Sequence, residues 1–264
     1  KNAGVQYAEL AEITLSIIWQ KVLCEFAKKF GPEPGNGAAV ISMGSLGSGV
    51  LHANSDLDLI IIYDADGNDQ SEGDRSLSAR QYYSRLTKAF ITAISAPMTE
   101  GRLYEIDMRL RPSGFQGPVA TSWSSYQNYQ KNEAWVWEHL ALTRARAVAG
   151  KEFLLNEFEN FRNSVLNSYH RENIFNELVN MRARIFQAKS LNPWDAKIGP
   201  GRLRDIDLLS QAGCLVNRSI SRSTVDGLEA LFFGKLITKN EFLEIKAAAN
   251  QFWSWQIGLN LLFK

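Results

Sequence analysis

From Tyr7 to Phe30 apolar side chains recur at helical spacing, at Leu10, Ile13, Ile17, Ile18, Val22 and Phe26, until Gly31-Pro32 stops the run. This pattern predicts a long helix. A Pro34-Gly35-Asn36-Gly37 loop then leads to a short apolar stretch, Ala38 to Met43, which reads as a strand. A turn, Gly44-Ser45-Leu46-Gly47-Ser48-Gly49, and a short helix precede a second strand in Ser55-Asp56-Leu57-Asp58-Leu59-Ile60-Ile61-Ile62. Side chains alternate along a strand, so Leu57, Leu59, Ile61 and Tyr63 can enter a core while Asp56 and Asp58 share the opposite face, roughly 6.5–7 Å apart along the backbone. Asp64 to Ser78 is polar and reads as an exposed loop, and Ala79 to Ile94 as a helix.

The segment Tyr104 to Pro112 alternates strictly. Tyr104, Ile106, Met108 and Leu110 make an apolar face, and Glu105, Asp107, Arg109 and Arg111 make a charged one. A strand with four charges on one face must keep that face wet, paired or bound to a ligand. From Ser122 onward helical spacing dominates, in segments near 124–149, 151–164, 167–190, 203–219, 223–233 and 238–262, with Gly, Pro or Asn breaks between them. No internal repeat or low-complexity tract interrupts the pattern. The fold class expected is α+β: a small mixed β-sheet flanked by helices over residues 1–150, followed by a truncated all-α domain over residues 151–264. The Lys1 start and the apolar Leu261-Leu262-Phe263 end read as those of a piece cut from a longer chain.

Composition narrows the function classes. Apolar residues make up 45% and charged residues 22% of the chain, ordinary values for a globular protein that argue against disorder. A net charge of +1 supplies no global field to recruit nucleic acid or an anionic membrane, so any affinity for phosphate must come from local clusters. Two distant cysteines, Cys24 and Cys214, make neither a disulfide framework nor a zinc spacing. No apolar run approaches the roughly 20 residues that span a bilayer, and no signal segment opens the chain. A cytoplasmic protein is expected, with neither nucleic acid nor membrane as a partner.

Local chemistry is richer. If the two charged strands are neighbours, Asp56, Asp58 and Asp107 form one site. Three carboxylates around one or two Mg²⁺ ions are what phosphoryl or nucleotidyl transfer uses, and one Asp can take the proton of the attacking hydroxyl. The Gly44-Ser45 turn can offer backbone N–H groups to distal phosphates, and Arg109 and Arg111 could grip phosphate or carboxylate with two donors each. Blander roles compete. Two aspartates at a strand entrance are often merely solvated, and the arginines could pair with Glu105 and Asp107. Glu138 and His139, among Trp135, Trp137 and Leu140, read as packed or surface-paired. Arg144 and Arg146, two apart on a helix, cannot share a face. Asp195, Lys197 and Gly199-Pro200-Gly201 either meet a nucleotide or form a locally capped helix entry, where Asp205 and Asp207 suit the helix dipole.

Gly44-Ser45, Asp56-x-Asp58 and a lone Asp107 on a later strand together resemble the nucleotidyltransferase superfamily typified by DNA polymerase beta. The longer runs are sharper: Ser55 to Asp64, Tyr104-Glu-Ile-Asp-Met-Arg-Leu-Arg-Pro-Ser-Gly114, Ala134-Trp-Val-Trp-Glu-His-Leu-Ala-Leu-Thr-Arg-Ala-Arg146, and Asp195-Ala-Lys-Ile-Gly-Pro-Gly201 with Asp205-Ile-Asp207. In this order they resemble bacterial glutamine-synthetase adenylyltransferase, an enzyme with two related catalytic halves. The Trp-Glu-His run is similar to its C-terminal, adenylylating half. The resemblance covers the chain from the first helix to at least residue 211.

It implies Mg²⁺-dependent transfer of AMP from ATP to a tyrosine of glutamine synthetase, in a cleft between the two domains, with Mn²⁺ as an alternative ion. Asp56, Asp58 and Asp107 would hold the metals and carry catalysis, and Gly44, Ser45, Arg109, Arg111 and Lys197 would bind the nucleotide. Glutamine synthetase, a PII-type signalling protein and glutamine as effector are the implied partners. The chain departs from the family pattern at Ser45, where Lys is usual, at Ser48, where Gly is usual, and at Arg202 and Arg204, which stand for small or apolar residues. Two rival functions are the phosphorolytic, deadenylylating half of the same enzyme and a regulatory binding module with a weakened site.

Overall fold

A computed structural model of the chain describes residues 2–67, 69–168, 174–187 and 195–262. In chain order the elements are α1 (Asn2–Phe30), β1 (Gly37–Ser42), α2 (Gly44–Gly47), β2 (Leu57–Asp64), α3 (Ala79–Ser95), β3 (Ile106–Asp107), a 3₁₀ turn (Gly114–Gln116), β4 (Ala120–Ser122) and α4 (Trp123–Asn132). They continue with α5 (Val136–Leu142), β5 (Arg146–Gly150), α6 (Glu152–Asn167), α7 (Ile174–Gln187), α8 (Leu203–Val216), α9 (Thr224–Phe233) and α10 (Lys239–Leu262). The α+β class expected from the sequence is what these elements make.

Two compact units result. The first gathers residues 1–51, 55–134 and 145–161, and the second residues 52–54, 135–144 and 162–264. In the first, the sheet runs β3-β2-β1-β5, with β4 also paired to β2. β1 is antiparallel to β2 and β5, while β3 and β4 lie parallel to β2. The central strands are apolar on both faces because both faces are covered. Leu57, Leu59, Ile61 and Tyr63 join a core with Ala8, Ala11 and Leu15 of α1 and Tyr82, Leu86 and Phe90 of α3. Trp19 meets Phe90 edge-on at 5.0 Å, and Tyr63 stacks on Tyr83 at 4.5 Å. Ala39, Ile41, Ile60 and Ile62, on the other face, are equally buried.

Three segments differ from the sequence pattern. Tyr104 to Pro112 contributes only the two residues of β3 to the sheet. The Arg111 guanidinium donates to the carbonyls of Met108 (2.8 Å), Gly117 (3.3 Å) and Phe115 (3.4 Å), and a chain folded around one side chain in this way cannot stay extended. Residues 120–122 form a strand where helix was expected to begin. The 124–149 segment is interrupted by Glu133 to Trp135 and ends in β5, whose alanine-rich sequence favours a helix but whose backbone completes the open edge of β1. The expected 167–190 helix corresponds to the end of α6 and to α7, its residues 169–173 and 188–190 lying outside the described ones.

In the second unit Ile206, Leu228, Leu231 and Phe242 form a core joined by Leu209, Phe232 and Phe252. α8 and α9 approach closely through glycines: a Cβ on Gly213 would fall 2.2 Å from the Gly227 carbonyl oxygen. Arg144, just past α5, donates to Asp207 on α8 at 2.6 Å and to Thr224 on α9 at 2.9 Å. Arg162 is 0% exposed and donates to the carbonyls of Leu142, Thr143 and Ile220 and to the Asn163 side chain. Cys24 is exposed and Cys214 buried, both as free thiols, and burial pushes the Cys214 thiol up to about 11. Among the described residues no helix is long and apolar enough to cross a membrane.

Candidate active site

The parallel pairing of β2 with β3 sets Leu57 against Ile106 and Asp58 against Asp107. Neighbouring strands lie about 4.8 Å apart, so two carboxylates from distant parts of the chain stand side by side at one sheet edge. Asp56 lies one residue ahead of β2, exposed. It lines an open pocket of about 490 Å³ together with Glu105, Asp107, Arg109, Arg111 and Phe115.

The Asp107 carboxylate is 12% exposed and engaged by Arg109, whose backbone N–H donates to Oδ1 at 2.8 Å and whose Nε donates to Oδ2 at 2.6 Å. Burial pushes this carboxyl up, but the Arg109 hydrogen bonds and the charges of Arg109 and Arg111 outweigh it and hold it below the ordinary carboxylate range. Arg109 in turn has its pKa raised, first by its hydrogen bond to Asp107 and by that carboxylate's charge, then by Asp58 and Asp56. The fields of all three acids therefore act on one cation. Among the described residues no three acidic, imidazole or thiol groups close into a metal shell as they stand. Carboxylate oxygens are the hard donors that a divalent cation such as Mg²⁺ takes, so Asp56, Asp58 and Asp107 are the residues of this region that could hold one.

The Gly44 turn packs against the Asp58 carboxylate. Gly44 has φ +54°, and a Cβ there would sit 2.3 Å from Asp58 Oδ2. Only glycine lets the turn pass so close to the carboxylate. The Met43 N–H donates to the Asp58 carbonyl at 2.8 Å, which fixes strand and turn together. Within the turn the Ser45 carbonyl accepts from Ser48 Oγ at 2.8 Å and from the Val50 N–H at 3.1 Å, so Ser48 braces the loop. A Gly44→Ala variant is expected to lose at least about tenfold in nucleotide affinity, because the added methyl must displace either the turn or the Asp58 carboxylate. Titration calorimetry with a magnesium–nucleotide complex checks this.

The other expected site residues fall into two groups. Arg109 and Arg111 both line the pocket, but Arg111 is 7% exposed and its guanidinium donates to carbonyls of its own loop. Lys197 belongs to the second unit. Its N–H donates to Asp195 Oδ1 at 2.7 Å, the Ile198 N–H to the same oxygen at 3.1 Å, and Arg202 donates to the carbonyls of Asp195 and Ile198, so this turn is a locally capped entry to α8. Asp205 accepts from the Gly201 N–H at 2.8 Å and from Arg182 Nε at 2.9 Å. Glu138 is a capping residue, accepting the Trp135 N–H at 2.9 Å.

Arg146 was expected on a helix and lies on β5, next to the Gly44 turn, where it meets Glu12 of α1 and the Leu46 carbonyl. The short apolar run Ala147-Val148-Ala149 closed by Gly150 is the weak sequence signal for the strand, whereas nothing in the pattern singles out Glu12.

The sequence is similar to known proteins. The family model for glutamate-ammonia ligase adenylyltransferase matches residues 5–161, more than half of the chain. The chain belongs to this family. The match ends at residue 161, also the last residue of the first unit, and contains Gly44, Ser45, Asp56, Asp58, Asp107, Arg109 and Arg111. A second model, GlnD PII-uridylyltransferase, matches residues 172–264 and contains Lys197. A bifunctional glutamine synthetase adenylyltransferase/adenylyl-removing enzyme of Mesorhizobium japonicum is 42% identical over 220 residues, 82% of this chain and 22% of the relative. The enzyme of the same description in Agrobacterium fabrum is 40% identical over 240 residues, 87% of this chain and 24% of the relative. That of Bradyrhizobium diazoefficiens is 42% identical over 214 residues, 80% and 22% respectively. The chain thus spans less than a quarter of the length of these adenylyltransferases.

Proposed function

We propose that this chain carries out divalent-cation-dependent transfer of AMP from ATP to a tyrosine hydroxyl of glutamine synthetase. The observation that carries the reading is the parallel register of Asp58 with Asp107 beneath the Gly44 turn, in a chain of the adenylyltransferase family. Asp56, Asp58 and Asp107 would hold Mg²⁺, with Mn²⁺ as an alternative. When bound, the ion would offset the triphosphate charge and ease departure of pyrophosphate. The Gly44 and Ser45 backbone would receive the distal phosphates, and Arg109, released from Asp107, would grip a phosphate oxygen. The hydroxyl oxygen forms its bond to the α-phosphorus as the bond to the pyrophosphate oxygen breaks. A carboxylate of the cluster takes the hydroxyl proton. Lys197 is placed with the nucleotide by the family resemblance alone.

The match of residues 172–264 to a PII-uridylyltransferase model supports a PII-type protein as regulatory partner; glutamine as effector rests on the family resemblance alone. A cytoplasmic site, with neither nucleic acid nor membrane engaged, accords with these partners. Incubated with glutamine synthetase, Mg²⁺ and ATP radiolabelled at its α-phosphate, the chain is expected to label a tyrosine, and chelation of the metal to abolish labelling. Absence of labelling together with ADP formation from adenylylated glutamine synthetase and phosphate would replace this reading with the adenylyl-removing one.

A further inference from the structure

The Gly44 turn has to keep its shape beside the Asp58 carboxylate. One helical turn, α2, the Ser48 hydroxyl and the Val50 N–H brace it from within, and the Met43 N–H ties it to β2. One side chain from elsewhere in the first unit also reaches it. Arg146 begins β5 and is the register partner of Ser42, two residues before Gly44. Ser42 Oγ donates to the Arg146 carbonyl at 3.0 Å, which pins the Arg146 backbone to the strand that delivers the turn. One terminal nitrogen of the Arg146 guanidinium then donates both to the Leu46 carbonyl, at 2.9 Å, and to Glu12 Oε1 on α1. The Leu46 carbonyl also accepts from the Gly49 N–H at 2.9 Å, so the oxygen at the turn's centre has both lone pairs engaged.

Arg146 and Glu12 are 30% and 26% exposed, a setting in which an ion pair is less screened than on an open surface. A second tie lies eight residues back along α1, where the Leu51 N–H donates to the Gly4 carbonyl at 2.9 Å. Between the two ties Leu46 and Leu51 enter the same core as Ala8, Ala11 and Leu15.

We propose that Arg146 and Glu12 are positioning residues for the nucleotide turn: Glu12 fixes the guanidinium, and the guanidinium fixes the Leu46 carbonyl, so that the Gly44–Ser45 backbone stays set for the distal phosphates. This rests on the adenylyl-transfer reading of the same site. Neither side chain touches the reacting atoms.

The consequence is selective. Loss of the bridge should weaken binding of a triphosphate and leave a nucleotide without distal phosphates unaffected, whereas general loosening of the fold would weaken both. The test is calorimetric binding of α,β-methylene ATP with Mg²⁺, and of AMP, to the whole chain and to Arg146→Ala, Arg146→Lys and Glu12→Gln. For Arg146→Ala the triphosphate affinity is expected to fall about tenfold, the size of one charge-assisted contact. The AMP affinity is expected to hold, and added guanidinium ion to restore the triphosphate affinity. Arg146→Lys and Glu12→Gln should lie between the wild type and Arg146→Ala. If the unchanged chain binds the analogue and Arg146→Ala binds it equally well, or loses both nucleotides alike without rescue, the positioning role is overturned. If the unchanged chain fails to bind the analogue, the adenylyl-transfer reading falls first and takes this role with it.

Discussion

Asp58→Asn is expected to lower AMP transfer by about a hundredfold or more, while the melting temperature stays within a degree or two of the parent. The side chain is only half-buried, and the strand core is built by its neighbours Leu57 and Leu59, so the carboxyl contributes little to folding. The carboxamide is nearly the same size, so it fits beneath Gly44, where Oδ2 already lies within 2.3 Å of where a Cβ would stand. What it removes is the negative charge, and with it the ability to hold a divalent cation or take a proton. Asp107→Asn should lower transfer comparably, and it also releases Arg109, since the hydrogen bonds of that arginine to Asp107 are what hold the carboxyl below its ordinary range. Initial rates of glutamine synthetase labelling beside thermal unfolding separate the outcomes. A full-rate Asp58→Asn variant would remove the carboxylate cluster from the mechanism.

The largest stability effect is expected at Arg162→Met, at about 3–5 kcal/mol, read from the shift of a urea unfolding midpoint. Arg162 is wholly buried, and it donates to the Leu142 and Ile220 carbonyls at 3.0 and 3.1 Å, to the Thr143 carbonyl, and to the Asn163 side chain at 3.0 Å. Methionine can fill the volume, but it takes the guanidinium donors from the buried Leu142 and Thr143 carbonyls. Both close the C-terminal end of α5, where backbone carbonyls have no partner within the helix. A shift below about 1 kcal/mol would mean that water reaches these groups, against their burial here.

Much of this organisation is legible in the amino-acid pattern, and the lapses have physical causes. β2 is legible because Leu57, Leu59, Ile61 and Tyr63 alternate with residues whose chemistry is equally informative. The meeting of Asp58 with Asp107 could be posed from the sequence only as a condition, since pairing of distant strands leaves no local trace; the register supplies it. Tyr104 to Pro112 shows the reverse failure. Its alternation is perfect, yet Arg111 turns inward and gathers three carbonyls, so periodicity alone misses a loop organised around one buried side chain. β5 was hidden by its alanines, whose helical preference yields to the hydrogen-bonding demand of the β1 edge. The competing roles of the Asp195 turn could not be ranked by sequence, because a capped helix entry and an anion cradle draw on the same residue types.

The run Trp135 to Arg146 carries a final implication for how this polypeptide can be dissected. Its first ten residues belong to one compact unit and its last two to the other, and residues 52–54 also sit with the later unit. No single scission yields two intact halves. A fragment beginning at Arg162 would arrive without Leu142 and Thr143, the carbonyl partners of that arginine, and without Arg144, which joins Asp207 to Thr224. Folding of the later helices therefore has to recruit a short stretch synthesised before them.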